Sequence, residues 1–518
     1  MTFSCGINVG RSGAVPNGGR LYHPVAAVYH RGTLPFHVNP AGSTFMIRNA
    51  ARPRMTRGGL LAGPVLASLF VFGLAGPAKG EKKGSEDQPA TGRELFARQW
   101  VPGDSRSHGG DGLGPVYNER SCLGCHHQGG PGGAAGADKN IEILSATGEP
   151  FLDSGAFYAF TMSFGGGGFA YRIGPGATGA RARPKPPGPA ELAPIHPGFR
   201  DAPGVVLHRY GPDADYRTWR SGIPGRHGTI EIKTSQRNPT PLFGLGLIDA
   251  VPDAVLEAGA KRRSTAWPQV KGRVSRLADG RAGKFGWKAQ TATLEEFVLS
   301  AAAIELGLEV PGRHEASDPR IPPLDAPGLD LDQAECDALT AYVRGLSAPK
   351  ARPTPNPHDA PLIKAGSALF KSAGCAACHV PKLGAIEGIY SDLLLHDMSV
   401  RLGDTSVYGA FGRSAPEAGP APAPLATDGR KPRLGASVQE WRTPPLWGVA
   451  DSAPYLHDGR ATTIEEAIRL HGGQATASAQ RYSQLSARER RQIEAFLLSL
   501  AAPGGSPEQA GFAAAPSP

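Results

Sequence analysis

The sequence predicts a chain of short helices joined by long loops, built as two homologous halves that each hold one covalently attached haem. Three observations predict it. The pattern Cys-x-x-Cys-His occurs twice, as Cys122-Leu123-Gly124-Cys125-His126 and as Cys375-Ala376-Ala377-Cys378-His379. Four further blocks recur in the same order in both halves. The 70 Gly and 49 Pro, set against 7% aromatic residues, favour short elements separated by turns.

The repeated motif carries the chemistry. Two cysteines at this spacing can each form a thioether to a haem vinyl group, and the histidine that follows can then bind the iron. With 6 Cys and 15 His in 518 residues, one chance match is expected about two times in a thousand. Zinc would need four ligands, and a redox dithiol has no need of the adjacent histidine. The expectation is two haem c groups, attached at Cys122, Cys125, Cys375 and Cys378, with His126 and His379 as proximal iron ligands. His127 follows its neighbour too closely to reach the same iron from the far side, and reads as a loop or propionate contact.

The recurring blocks define the organisation. Gly92-Arg93-Glu94-Leu95-Phe96 is matched by Gly366-Ser367-Ala368-Leu369-Phe370. Arg237-Asn238-Pro239-Thr240-Pro241-Leu242-Phe243-Gly244 is matched by Arg442-Thr443-Pro444-Pro445-Leu446-Trp447-Gly448. Thr291 to Glu296 is answered by Ala461 to Glu466, and Leu331 to Pro349 aligns without a gap on Leu485 to Pro503. The closing helices carry apolar stripes at helical spacing, Leu339, Tyr342, Val343 and Leu346 in one, Ile493, Phe496, Leu497 and Leu500 in the other. Cys336 aligns with Arg490, a pairing that argues against a reactive thiol. The haem domains are expected at 88–346 and 362–503, with a linker at 347–361 and a disordered tail at 504–518. Long Gly/Pro-rich insertions are read at about 127–235, including Gly165-Gly166-Gly167-Gly168, and at about 405–435.

Residues 1–80 read as a mis-called start followed by an export signal. Arg48, Arg52, Arg54 and Arg57 precede an apolar run from Leu60 to about Gly76, then small residues. A retained membrane anchor is the alternative, though Gly63 and Pro64 interrupt the run. Export to the periplasm agrees with thioether attachment, which belongs outside the cytoplasm. The leader also explains the net charge of +9: it holds 8 Lys+Arg and no acid, so 55 − 8 = 47 basic against 46 acidic residues remain. A balance of +1 leaves no basic field for nucleic acid.

Beyond the haem motifs, Tyr390-Ser391-Asp392-Leu393-Leu394-Leu395-His396-Asp397-Met398, the Arg442 to Gly448 block and Ala453-Pro454-Tyr455-Leu456-His457-Asp458-Gly459-Arg460 resemble the bacterial di-haem cytochrome c peroxidase superfamily. The chain is most similar to its di-haem oxidoreductase branch, over about residues 90–500 apart from the insertions. The resemblance implies a mainly α-helical protein of two cytochrome c-like haem domains, acting as a periplasmic peroxidase-like oxidoreductase. In such proteins the first haem meets hydrogen peroxide and the second passes electrons to it. A donor such as a small cytochrome or cupredoxin is implied as partner, and a calcium ion between the domains as a further cofactor. A di-haem electron carrier without peroxide chemistry is the other function class that two haem motifs allow.

The remaining site residues follow from chemistry and resemblance together. Met398 is the candidate sixth ligand of the second haem, a thioether that would raise its potential; His396 is the alternative ligand, and gap-filling core the alternative role for Met398. Trp287 is the candidate electron relay between haems, or a packing aromatic. Leu294, Val298, Ala301 and Glu305 share one helical stripe, and a carboxylate on an apolar stripe is costly without a task. Glu305-Leu306-Gly307 also resembles the family's Glu-Met-Gly, so Glu305 is the candidate distal acid/base. Glu296 and Glu466 sit three residues after Thr293 and Thr463, the spacing of a capping box. His457 is expected in a structural or propionate role.

Overall fold

The computed structural model describes residues 88–148, 187–202, 204–349, 359–404 and 434–503. They fall within one compact unit, residues 80–518. The predicted export leader, the Gly165–Gly168 run, the body of the 405–435 insertion and the tail after 503 lie outside the described residues. No helix among the described residues is long and apolar enough to cross a membrane.

Each haem motif is framed by a pair of packed helices. Gln88–Ala97 packs on Gln333–Gly345 in the first half, and Asp359–Ser372 packs on Ala487–Leu498 in the second. Asp359–Ser372 thus begins inside the stretch predicted as linker, three residues earlier than 362. The helices meet at glycine in both pairs. A Cβ on Gly92 would collide with Ala338 O and with Tyr342 Cβ at 2.7 Å; one on Gly366 would collide with Gln492 O and with Phe496 Cβ at 2.9 Å. Only the missing side chain lets the backbones approach so closely, so either glycine changed to alanine forces the pair apart. The helix starts follow from sequence: Asp332 with Glu335, and Ser486 with Glu489, form reciprocal capping boxes.

The largest apolar core belongs to both halves. Leu95, Phe96, Leu339 and Val343 cluster in it with Leu393, Leu394 and Trp447. A smaller core around Phe370, Ile493, Phe496 and Leu497 backs the second motif. Cys336 is 1% exposed in the first core, and burial pushes its thiol up to about 12, which suits an inert packing role.

The expectation of a mainly helical chain is corrected by the segment read as an insertion. It contains a four-stranded antiparallel sheet in the order β2-β1-β4-β3, from β1 (Ile141–Gly148), β2 (Gly204–Val206), β3 (Gly225–His227) and β4 (Ile230–Arg237). The strand period of two divides its side chains between two faces. Leu144, Val205 and Ile232 join Leu192, Phe199 and Ile223 in a local core. Ile141, Ile143 and Val206 pack instead on Ile304 of the helix Leu294–Glu305. The sheet is therefore fixed to the helix that carries Glu305.

Candidate haem sites

A cavity lies at each motif, about 130 Å3 at the first and about 260 Å3 at the second. Cys122, Cys125 and His126 line the first, facing Phe297, Val298, Ala301 and Glu305 of the helix Leu294–Glu305. His126 Nδ1 lies 3.1 Å from Gly133 O. A carbonyl only accepts, so Nδ1 carries the proton and Nε2 keeps its lone pair. Burial pushes the His126 pKa down to about 4, against the pull of the Gly133 and Thr240 carbonyls, so the ring is neutral as an iron ligand must be. His127 is exposed.

The predicted stripe on the helix Leu294–Glu305 is present. Val298, Ala301 and Glu305 all line the cavity, and Thr293 with Glu296 forms the expected capping box at the helix start. At the helix end, Asn118 Nδ2 donates to Glu305 Oε2 at 2.8 Å, while Arg209 N donates to Asn118 Oδ1 at 2.9 Å. Glu466 differs slightly from its counterpart: its carboxylate accepts from Thr462 N at 2.8 Å, one residue further back than the box predicts.

At the second motif Cys375, Cys378 and His379 line the cavity together with Met398 and His471. His379 Nδ1 donates to Tyr390 O at 2.9 Å, and burial, then the nearby His471, pushes its pKa down to about 4. His471 repeats the arrangement, Nδ1 donating to Ala467 O at 2.7 Å. Both imidazoles so keep Nε2 as an acceptor. His471 escaped the sequence reading because a lone histidine after a helix matches no spacing rule. His396, the alternative ligand, is bonded at both ring nitrogens. Its Nε2 lies 3.0 Å from Asp392 Oδ2 and its Nδ1 2.9 Å from Gln474 Oε1, so neither ring nitrogen is available to a metal. Burial opposes its charge, but the Asp392 carboxylate outweighs that and holds its pKa well above the usual range.

One wall is common to both cavities. Asn238, Pro239, Thr240 and Trp287 line each of them, and Trp287 Nε1 donates to Asn238 O at 3.1 Å. Beside it, Trp441 stacks on His457 with ring centres 3.7 Å apart. Lys288 Nζ stands 3.6 Å from the Trp441 ring centre and donates to the carbonyls of Ser437, Val438 and Glu440. Burial, with Arg237 nearby, pulls the Lys288 pKa down to about 7. His457 is buried, and desolvation pushes its pKa down to about 3.

These residues fit a covalently held haem better than the rival groups. Burial pushes Cys122 and Cys375 up to about 12 and raises Cys125 too, so none is a ready thiolate. Among the described residues, neither group of three clustered metal-binding side chains includes a motif cysteine, which removes the zinc reading. One of those groups, Asp111, Glu315 and Asp330, has the chemistry calcium prefers but belongs to the first half alone. Burial, then Asp111, Asp330 and Glu309, pushes Glu315 up to about 9.

Comparison with known proteins agrees with the sequence resemblance. Residues 330–500 match the family model described as "Di-haem oxidoreductase, putative peroxidase". The methylamine utilization protein MauG of Methylorubrum extorquens is 30% identical over 145 residues, 27% of this chain. The matched stretch is 34% of that relative, so the chain spans about a third of its length. Among solved structures, Kuenenia stuttgartiensis hydrazine synthase is 21% identical at a TM-score of 0.30, over 51% of this chain and 73% of its own. A MauG-like protein associated with microbial copper homeostasis is 20% identical at 0.25, over 49% of this chain and 90% of its own. The diheme peroxidase BthA of Burkholderia thailandensis is 15% identical at 0.21, over 36% of this chain and 55% of its own. Superpositions this loose carry no argument, and the assignment rests on the sequence matches. By these, residues 330–500 resemble the peroxidase-like di-haem oxidoreductases.

Proposed function

We propose that this protein is an exported di-haem c-type oxidoreductase that reduces peroxide at the first cavity with electrons delivered through the second. On this reading 88–346 and 362–503 are two cytochrome c-like haem domains. The donor is a small protein such as a cytochrome or cupredoxin. The observation that carries the reading is the difference between the cavities. Among the described residues the first is lined by a single imidazole and by no methionine or tyrosine, whereas the second offers His379 together with His471 and Met398. An iron that His126 alone would hold could meet a small substrate, whereas one that His379 would hold together with His471 or Met398 would suit electron transfer.

Haem c, bound at the two motifs, supplies the redox iron. The chain supplies the rest. Glu305, oriented by Asn118 Nδ2 at 2.8 Å, moves a proton between the two oxygens of peroxide. Val298 and Ala301 keep that proton route dry. Trp287, common to both cavities and fixed through Nε1 to Asn238 O, carries electrons across the shared wall. His471, its ring oriented by Ala467 O, would help His379 hold the second haem iron, with Met398 as the competing ligand.

A pyridine haemochrome count and low-temperature electron paramagnetic resonance of the oxidised protein test this. Two haems are expected, one high-spin and one low-spin. Two low-spin haems would turn the reading to an electron carrier, and fewer than two haems would remove it altogether.

A further inference from the structure

The duplicated blocks each begin with an arginine, and the two arginines meet different fates. Arg237 closes β4 and lines the first cavity; Arg442 closes the strand Glu440–Arg442 and lines the second. Both are buried, at 4% and 6% exposure. Arg237 Nη1 pairs with Asp404 Oδ2 at 2.6 Å, and both of those side chains are 5% exposed. Arg442 has no such partner. Its Nε donates to Gly286 O at 2.9 Å, and its Nη1 is buried with no hydrogen-bond partner. Among the described residues no carboxylate pairs with it, and burial alone acts on its charge, pushing its pKa down to about 10.

The cavity around it is as one-sided as the arginine. No aspartate or glutamate lines it, and Arg442 is its one Lys or Arg lining residue among those described. A buried cation without an anion is unfavourable, and a guanidinium with a free edge matches a carboxylate in shape and charge. The missing anion must therefore come with whatever fills the cavity.

We propose that Arg442 seats a carboxylate of the group bound in the second cavity. On the function proposed above, on which this rests, that carboxylate is a haem propionate. Arg237 cannot do the same in the first cavity, because Asp404 already holds it. The two haems then differ in their fixed charge. Arg442 is a positioning residue whose positive charge favours the reduced form of the second haem.

Spectropotentiometric titration of the holoprotein tests this. Arg442→Gln should shift the second haem at least tenfold toward its oxidised form, a fall of about 59 mV for a one-electron couple, and leave the first unchanged. Arg442→Lys, which keeps the charge but not the fork, should fall by less. An Arg442→Gln protein with both haems and an unchanged second potential overturns the inference and leaves the proposed function standing. A wild-type protein without haem sinks both. If Arg442→Gln fails to take up its second haem, the lysine variant decides, and a second potential equal to or above wild type overturns the inference.

Discussion

Among the described residues, the one imidazole lining the cavity at the first motif is that of His126; at the second, His379 shares its cavity with His396, His457 and His471. The helix pairs behind the two motifs are alike down to the glycines at their crossings, so the difference does not come from the frame. It comes from what each half adds in front of its motif. The first half adds a sheet and a carboxylate, and the second adds histidines, Met398 and an uncompensated arginine. On the function proposed above, two like frames are given different work by the residues that differ.

The largest effect should come from the carboxylate. Glu305→Gln should slow peroxide-driven oxidation by about a hundredfold or more in stopped-flow absorbance, with both haem spectra intact. An effect of a few-fold would erase the proposed catalytic difference between the cavities. Next comes the sixth ligand. His471→Ala should convert the low-spin signal to high-spin in electron paramagnetic resonance, while Met398→Ala should leave it. The reverse outcome would give the position to Met398. The shared frame is tested by Gly92→Ala and Gly366→Ala, each expected to cost about 1–3 kcal/mol in denaturant unfolding. A large cost at one and none at the other would break the equivalence of the helix pairs.

A pH effect of intermediate size separates the halves further. The Glu315 carboxyl is held up at about 9 against 4.5 in the free side chain, so the folded state keeps a proton that the unfolded state releases. Stability from this group is present below pH 4.5 and declines from there to about pH 9, by at most about 1.4 kcal/mol per pH unit. Glu315→Gln should flatten that decline in thermal melts. The smallest effect is the cap control. Glu296→Gln should lower stability by about 1 kcal/mol and barely alter the peroxide rate.

Much of this was legible in the residues, and the failures have physical causes. The motifs, the helix caps and the stripe ending at Glu305 are local patterns, so spacing alone finds them. The sheet was missed because β1 is buried on both faces, with Ile143, Leu144 and Ser145 all inside, which blurs the alternation that marks a strand. Its main partner β4 also begins 82 residues after β1 ends, beyond any local signal. His471 and Arg442 were not singled out as site residues because nothing in sequence distinguishes a cavity-lining histidine from a helix-end one, or a lone buried arginine from a paired one.

The clasp at the end of the helix Leu294–Glu305 bears on how this chain can be rebuilt. His208 Nε2 donates to Ile304 O at 2.9 Å, and Asn118 bridges Arg209 to Glu305. The segment read as an insertion thus braces the end of this helix through His208, and through Arg209 the Asn118 that bonds Glu305. Trimming it to make a minimal scaffold would leave both Cys-x-x-Cys-His motifs in place and remove the bonds from His208 and Arg209.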